Sequence, residues 1–366
     1  MKKGYKDNHT FSVLVAPLDW GLGHVTRCIP IISTLLQQQV RVIVCGEGHF
    51  ITIIQKEFPG IEIFRLKGYR IKYSKTRNFF FLKLLLQIPK IVFSIAYENF
   101  WLKAIIKKYD IDAIISDNRL GCFNKNIHSV FMTHQLHIKT GFRFIDVIVR
   151  KINYFFINKY DECWIPDYAS SVNMAGELSH PEKLPIKPIM YIGLLSRMYR
   201  IETETKYKLC IVLSGPEPQR TNLEKIILRE LIQYKEPTVL IRGLPDQEDS
   251  IITNQNNIRV VNYMGTKELS LIIQQSEIII SRSGYSTIMD LLKLGQKAIL
   301  IPTPGQTEQE YLADYLLSNK MSVALSQKEF QLTTALNQIN GITIQQKELP
   351  EIYQETIIGW LNRLNG

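Results

Sequence analysis

Short runs of consecutive apolar residues, rich in valine and isoleucine, recur along this chain, and polar loops and stretches of helical spacing separate them. FSVLVAP (11–17), VRVIVCG (40–46), 61–66, AIISD (113–117), SVFMTH (129–134) and ECWIP (162–166) read as strands. Unbroken apolar runs, rather than alternation, suit strands covered on both faces. Helical spacing follows the first strand over 25–36, with Pro30 expected in the first turn. The second half repeats the pattern. Strands are predicted at 208–215, 238–243, 258–263, 277–281 and 297–302, and helices at 219–234, 266–276, 285–294, 308–319 and 350–364. Strands alternating with helices predict an α/β protein of two Rossmann-like domains, each with a mostly parallel sheet, facing across a cleft. A polar stretch at 197–206 places the boundary between 191 and 207, dividing the chain into 1–193, 194–349 and a last helix, 350–366, that returns to the first domain.

Length and composition narrow the class. A chain of 366 residues with 45% hydrophobic and 21% charged residues is globular and long enough for two domains. Cys28, Cys45, Cys122, Cys163 and Cys210 are scattered without a CxxC, which fits a reducing cytosol better than a disulfide framework. Residues 1–8 are charged and polar and the apolar run after them is short, so no signal peptide is expected. No uncharged apolar stretch reaches the roughly 18 residues that a membrane-spanning helix needs. The net charge of +10 is uneven: residues 1–193 carry +11 and the remainder −1. A basic half points to an anionic partner.

Loops after strands hold the candidate chemistry. In 19–27, DWGLGHVTR, Gly21 and Gly23 let the backbone approach a ligand, and His24 stands at a helix start, where it can act as a base. In 281–290, SRSGYSTIMD, a strand end leads into small hydroxyl residues and a glycine that suit a phosphate, with Asp290 one turn later for ribose hydroxyls. Thr303, Glu308 and Gln309 follow the next strand, where side chains can bond a sugar. Ser214 and Gly215 follow another, with Arg220 nearby for charge. Asp117 and His134 end strands of the first sheet and face the same cleft.

These motifs resemble the GT-B glycosyltransferases, most closely the glycosyltransferase family 28 branch that contains the peptidoglycan N-acetylglucosaminyltransferases. GLGHVTR is similar to that family's first glycine loop, SRSGYSTIMD to its nucleotide motif and PTPGQTEQ to the segment that contacts the donor sugar. The resemblance covers nearly the whole chain. It implies an inverting transferase that moves a sugar from a UDP-sugar to a hydroxyl of a glycan or lipid-linked acceptor in cell-envelope or polysaccharide synthesis, with no metal or other cofactor. By the same resemblance His24, Asp19 or Asp117 is the base. Arg282, Ser283, Gly284, Tyr285, Ser286, Thr287 and Asp290 hold the nucleotide with Ser214, Gly215 and Arg220, and the backbone near Met264 contacts uracil. Glu308 stands where the family has glutamine, and Asp290 where it usually has glutamate. A UDP-sugar 2-epimerase or a non-catalytic nucleotide-sugar-binding protein would share this architecture.

Other motifs receive structural readings. Asp110 and Asp112 form a DxD leading into a strand and read as a turn, and the HxxH of His134 and His137 lacks a carboxylate at zinc-ligand spacing. Residues 65–108 combine eleven Lys and Arg and nine aromatics with one acid, a mixture that suits an anionic membrane surface better than nucleic acid. The expected location is therefore cytoplasmic, or peripheral on the inner face of the membrane.

Overall fold

The computed structural model describes residues 10–19, 22–70, 87–247, 257–343 and 349–365. Among them, β1 (Ser12–Pro17), β2 (Arg41–Gly46), β3 (Glu62–Arg65), β4 (Ala113–Asp117), β5 (His128–Met132), β6 (Glu162–Ile165) and β7 (Ile189–Tyr191) form one parallel sheet in the order β3-β2-β1-β4-β5-β6-β7. A second parallel sheet has the order β10-β9-β8-β11-β12-β13. Its strands are β8 (Tyr207–Val212), β9 (Thr238–Ile241), β10 (Ile258–Val261), β11 (Ser276–Ser281), β12 (Lys297–Leu300) and β13 (Val323–Ala324). Both orders are the doubly wound one, in which ligands bind where the strand order reverses. Those points lie between β1 and β4, where Pro17 pairs with Asp117, and between β8 and β11, where Val212 pairs with Ser281.

The central strands are mostly apolar because helices cover both faces. Val13 and Val15 pack into one core cluster with α1 (Leu22–Gln37), whereas Leu14 and Ala16 pack into another with Leu102 of α3 (Ile88–Tyr109). α2 (His49–Glu57) and α4 (Arg143–Ile157) complete the helices of the first sheet, and α5 (Gln219–Leu231), α6 (Thr266–Gln274), α7 (Tyr285–Leu294), α8 (Thr307–Ser318) and α9 (Leu332–Asn340) those of the second. α10 (Tyr353–Asn365) lies against the first sheet: Trp360 meets Trp164 edge-on at 5.4 Å, and its indole N–H donates to His128 Nδ1 at 3.2 Å.

Two sequence expectations change. α1 begins at Leu22, so Pro30 sits inside the helix and not in its first turn. Proline there removes one backbone bond, but the buried face of Val25, Ile29 and Ile32 holds the helix on its course. Helices α2, α4 and α9 and strands β7 and β13 were not foreseen. The two strands are short, whereas α4 carries a clear amphipathic helical spacing whose apolar face is left largely exposed. The DxD turn is structural: Asp112 Oδ2 accepts from the Ser12 N–H at 2.9 Å, and Asp110 caps α3 in the left-handed region.

Candidate active site

At the switch point of the first sheet, five side chains form one connected cluster. Asp117 ends β4 opposite the last residue of β1, and α1 brings His24 and Arg27 over it, one turn apart on the same helix face. Arg27 Nε donates to Asp117 Oδ2 at 2.8 Å, and its Nη2 donates to Oδ1 in a short contact. His24 Nδ1 lies 3.0 Å from Asp117 Oδ2 and 2.8 Å from Arg27 Nη2. With its proton on Nδ1 the ring donates to the carboxylate and keeps the lone pair on Nε2; with the proton on Nε2, Nδ1 accepts from Arg27 instead. His134, after β5, takes Arg27 Nη1 at its Nδ1 (2.9 Å) and reaches Glu308 Oε1 of the second domain from its Nε2 (2.6 Å).

The charges follow from burial and neighbours. Burial alone raises the Asp117 carboxyl, but the guanidinium of Arg27 and the imidazole of His24 outweigh it and hold the group well below the usual carboxylate range. Burial pushes His134 below its ordinary value despite Glu308. Glu308 is lowered, because His134, His24 and Arg27 outweigh its own burial. One tautomer reconciles these directions: a neutral His134 donates from Nε2 to an ionised Glu308 and accepts from Arg27 at Nδ1, so Arg27 supplies the positive charge. Across the cleft the His134 ring stacks on Tyr285, centroids 4.0 Å apart and planes 3° apart.

The second sheet contributes loops that open on its own switch point. β11 leads through Arg282, Ser283 and Gly284 into α7, and β8 leads into Ser214 and Gly215. Gly215 has φ +103°, a conformation that favours glycine. A Cβ there would meet only Thr303 Oγ1, at 3.7 Å, and one at Gly284 only Thr287 Oγ1, at 3.9 Å. Thr303 Oγ1 is buried with no hydrogen-bond partner among the described residues. Open space beside two glycines, an unpaired hydroxyl and a helix N-terminus form an anion-binding arrangement. Ser286 Oγ donates across the cleft to Gly23 O at 2.8 Å, and Ser283 Oγ to Gln309 O at 2.8 Å.

Other expected site residues are engaged elsewhere. Arg220 is bonded to Glu217 (2.6 Å) and Glu224 (2.8 Å). Arg282 is buried, and burial lowers its pKa to about 10. Its N–H groups go to Gln219 O (2.8 Å), Gln327 Oε1 (2.7 Å) and the carbonyls of Ile301 and Pro302. Neither arginine is presented to the cleft; both hold its loops together. The Gln309 amide is likewise turned inward, bonded to the Thr303 N–H and to Gln306. Asp19 accepts from the Tyr69 N–H at 3.3 Å and lies 3.8 Å from Arg119, with no bond to His24. Gly21 lies outside the described residues.

A cavity of about 340 Å³ opens between the domains, lined among others by Ser33, Glu57, Ser196, Arg197 and Thr266 and by none of the five clustered side chains. Met264, two residues before Thr266, has its side chain buried. Glu57 accepts from the Thr266 N–H at 3.0 Å, and Arg197 Nε is buried with no hydrogen-bond partner among the described residues. Ser196 Oγ donates to Asp290 Oδ1 at 2.6 Å. Burial raises the Asp290 carboxyl to about 6, against the pull of Arg197 and Ser196. A raised folded-state value means that the stability from this group is full below the unfolded value near 4 and is lost as pH rises through about 6. Asp290→Asn should remove that loss. Denaturant unfolding of the two proteins should show the wild type falling behind the variant by up to about 3 kcal/mol between pH 4 and 7. Parallel curves would refute the raised carboxyl of the buried Asp290.

Residues 226–354 match the family described as Glycosyltransferase family 28 C-terminal domain. A UDP-N-acetylglucosamine--N-acetylmuramyl-(pentapeptide) pyrophosphoryl-undecaprenol N-acetylglucosamine transferase of Methylobacterium radiotolerans is 34% identical over 67 residues, 18% of this chain and 18% of that protein. The match thus spans under a fifth of that relative's length. An uncharacterised glycosyltransferase of Methanosarcina acetivorans is 24% identical over 315 residues, 79% of each chain. Among solved structures, the spinosyn rhamnosyltransferase SpnG superposes with a TM-score of 0.64 at 13% identity, covering 97% of this chain and 96% of its own. Acinetobacter baumannii MurG does so with a TM-score of 0.56 at 13% identity, covering 97% and 100%. The fold is therefore that of the GT-B glycosyltransferases, with a family 28-type domain in its second half.

Proposed function

We propose that the protein is an inverting glycosyltransferase that moves a sugar from a UDP-sugar to a hydroxyl of a lipid-linked or other glycan acceptor, without a metal ion. One juxtaposition carries this reading. The His24–Asp117 dyad of the first domain stands directly against the N-terminus of α7 in the second, where Gly23 O and Ser286 Oγ are 2.8 Å apart. Asp117 holds the His24 Nδ1–H, so Nε2 takes the proton from the acceptor hydroxyl. That oxygen attacks the anomeric carbon from the face opposite the diphosphate, the bond from carbon to phosphate oxygen breaks, and the configuration inverts. N–H groups at the start of α7 and the Thr303 hydroxyl receive the charge that develops on the leaving group. Because Ser286 and Gly23 touch, the domains part for the diphosphate to enter and close again on the bound donor, which restores the His134–Glu308 contact.

The interdomain cavity lined by Thr266 and by Ser196, the hydrogen-bond partner of Asp290, suits the nucleoside. Uridine is favoured by the relative whose name specifies UDP-N-acetylglucosamine. Calorimetry with UDP, GDP and ADP tests the donor: UDP should bind alone among them, and equally well in EDTA. A metal requirement for UDP binding, or a preference for a purine nucleotide, would reverse the corresponding part of the reading.

The acceptor side favours a membrane surface. α4 follows the loop that carries His134, and its Asn153 donates to Gln135 O at 3.1 Å. It leaves Phe144, Val147, Ile148, Ile152 and Phe155 exposed along one face, Phe144 by 77%, beside Arg143, Arg150 and Lys151. Phe93 and Phe100 of α3 are exposed as well. An apolar stripe with basic flanks is the pattern of a helix that lies in the plane of a membrane interface. No helix among the described residues is long and apolar enough to cross a membrane. Part of the basic segment 65–108, the stretch 71–86 with Lys72, Lys75, Arg77 and Lys83, lies outside the described residues. Sedimentation should show binding to anionic and not neutral vesicles at low salt, weakening as salt rises. Replacing Arg143, Arg150 and Lys151 with glutamate should abolish it, since each basic residue contributes about 1 kcal/mol. Equal sedimentation of the triple variant would move the contact elsewhere.

A further inference from the structure

Glu308 opens α8 in the second domain, but its partner is in the first. Its Oε1 is held by His134 Nε2 at 2.6 Å, a third of the side chain is exposed, and among the described residues no hydrogen bond reaches Oε2. His134 has no freedom to follow another partner. It is 4% exposed, stacked on Tyr285, and tied through Nδ1 to Arg27, whose other N–H groups are held by Asp117 and His24. Asp117, Arg27, His134 and Glu308 thus form one chain, buried except at its last member, which is partly exposed.

A donor sugar has to lie between the His24 Nε2 and the N-terminus of α7, and therefore against Glu308. We propose that Glu308, with His134 as its positioning residue, selects the donor by charge: it admits sugars that present hydroxyls to it and refuses uronic acids. This inference rests on the nucleotide-sugar reading above. A hydroxyl donates a short, charge-assisted bond to the free oxygen. A sugar carboxylate in the same place meets a like charge that Arg27, already serving Asp117 and His134, does not neutralise. A glutamine at 308 presents an N–H instead and removes the penalty.

Calorimetry on the full chain decides, with UDP, UDP-glucose, UDP-glucuronate, UDP-galactose and UDP-galacturonate as probes. In the wild type each uronate should bind about tenfold or more weakly than its neutral counterpart. Glu308→Gln should bring the ratio close to one. His134→Gln, whose amide can accept from Arg27 and donate to Glu308, should keep the selectivity, and His134→Phe should lose it. Equal affinity for the two members of each pair in the wild type, or an unchanged ratio in Glu308→Gln, overturns the inference while leaving the nucleotide reading intact if UDP itself binds. Failure of UDP to bind overturns both. Circular dichroism spectra of the variants identify any that fail to fold, and the wild-type ratio is decisive without them.

Discussion

Replacing His24 with alanine should lower kcat by about 10²- to 10⁴-fold, the usual contribution of a general base. The imidazole is the group whose Nδ1 is held by Asp117, at 3.0 Å, leaving Nε2 for the acceptor. UDP affinity should stay near that of the wild type, because the cavity proposed for the nucleoside is lined by other residues. Asp117→Asn should fall in the same direction, since an amide cannot stabilise the imidazolium as a carboxylate does. Steady-state transfer with the donor identified by calorimetry, compared with UDP titration of the same variants, separates lost chemistry from lost binding. A His24→Ala enzyme with nearly normal kcat would remove the histidine from the reaction. Asp19, tied to Tyr69 and lying near Arg119, would be the next base to test.

Arg27→Ala should destabilise the protein by about 3–5 kcal/mol, because it strands a fully buried carboxylate. Asp117 is 0% exposed, and Arg27 forms a two-point bond to it while also holding His134. The pH dependence gives a second readout. In the wild type Asp117 is held below its ordinary value, so its contribution is present above the unfolded value near 4 and is lost as pH falls toward the folded one. Without Arg27 the same burial pushes the carboxyl up, and the variant is penalised for keeping it ionised. The gap between the two proteins should therefore narrow as pH is lowered from 7 toward 4 in denaturant unfolding. Arg27→Lys should recover part of the stability, because it restores the charge but not the fork of donors. A loss below about 1 kcal/mol for Arg27→Ala would mean that water or another cation already serves Asp117.

Much of the site was legible because its residues stand at strand ends. His24, Asp117, His134 and Glu308 were each singled out from a loop or a strand terminus, and the parallel topology gathers such ends on one edge. Arg27 was overlooked, although it lies within the GLGHVTR motif. The available signal was a charged residue set in a run of buried helix positions, three after a histidine, where only a buried anion can satisfy it. Arg220 and Arg282 were read the other way, as ligands for phosphate. Their neighbours in space, Glu224 for one and four oxygens from distant loops for the other, are not readable from adjacent sequence.

The amino-acid sequence by itself determined the alternation of strands and helices, the doubly wound class and the four loops that face the cleft, because apolar periodicity and glycine placement act locally along the chain. Tertiary structure alone decided which charged groups are free and which are engaged. His134 and Glu308 are 174 residues apart yet share a 2.6 Å bond, and Asp117 meets Arg27 from 90 residues away. Coulombic and hydrogen-bond energies depend on distance in space and on exclusion of water, and both are set only when the two sheets have closed on one another.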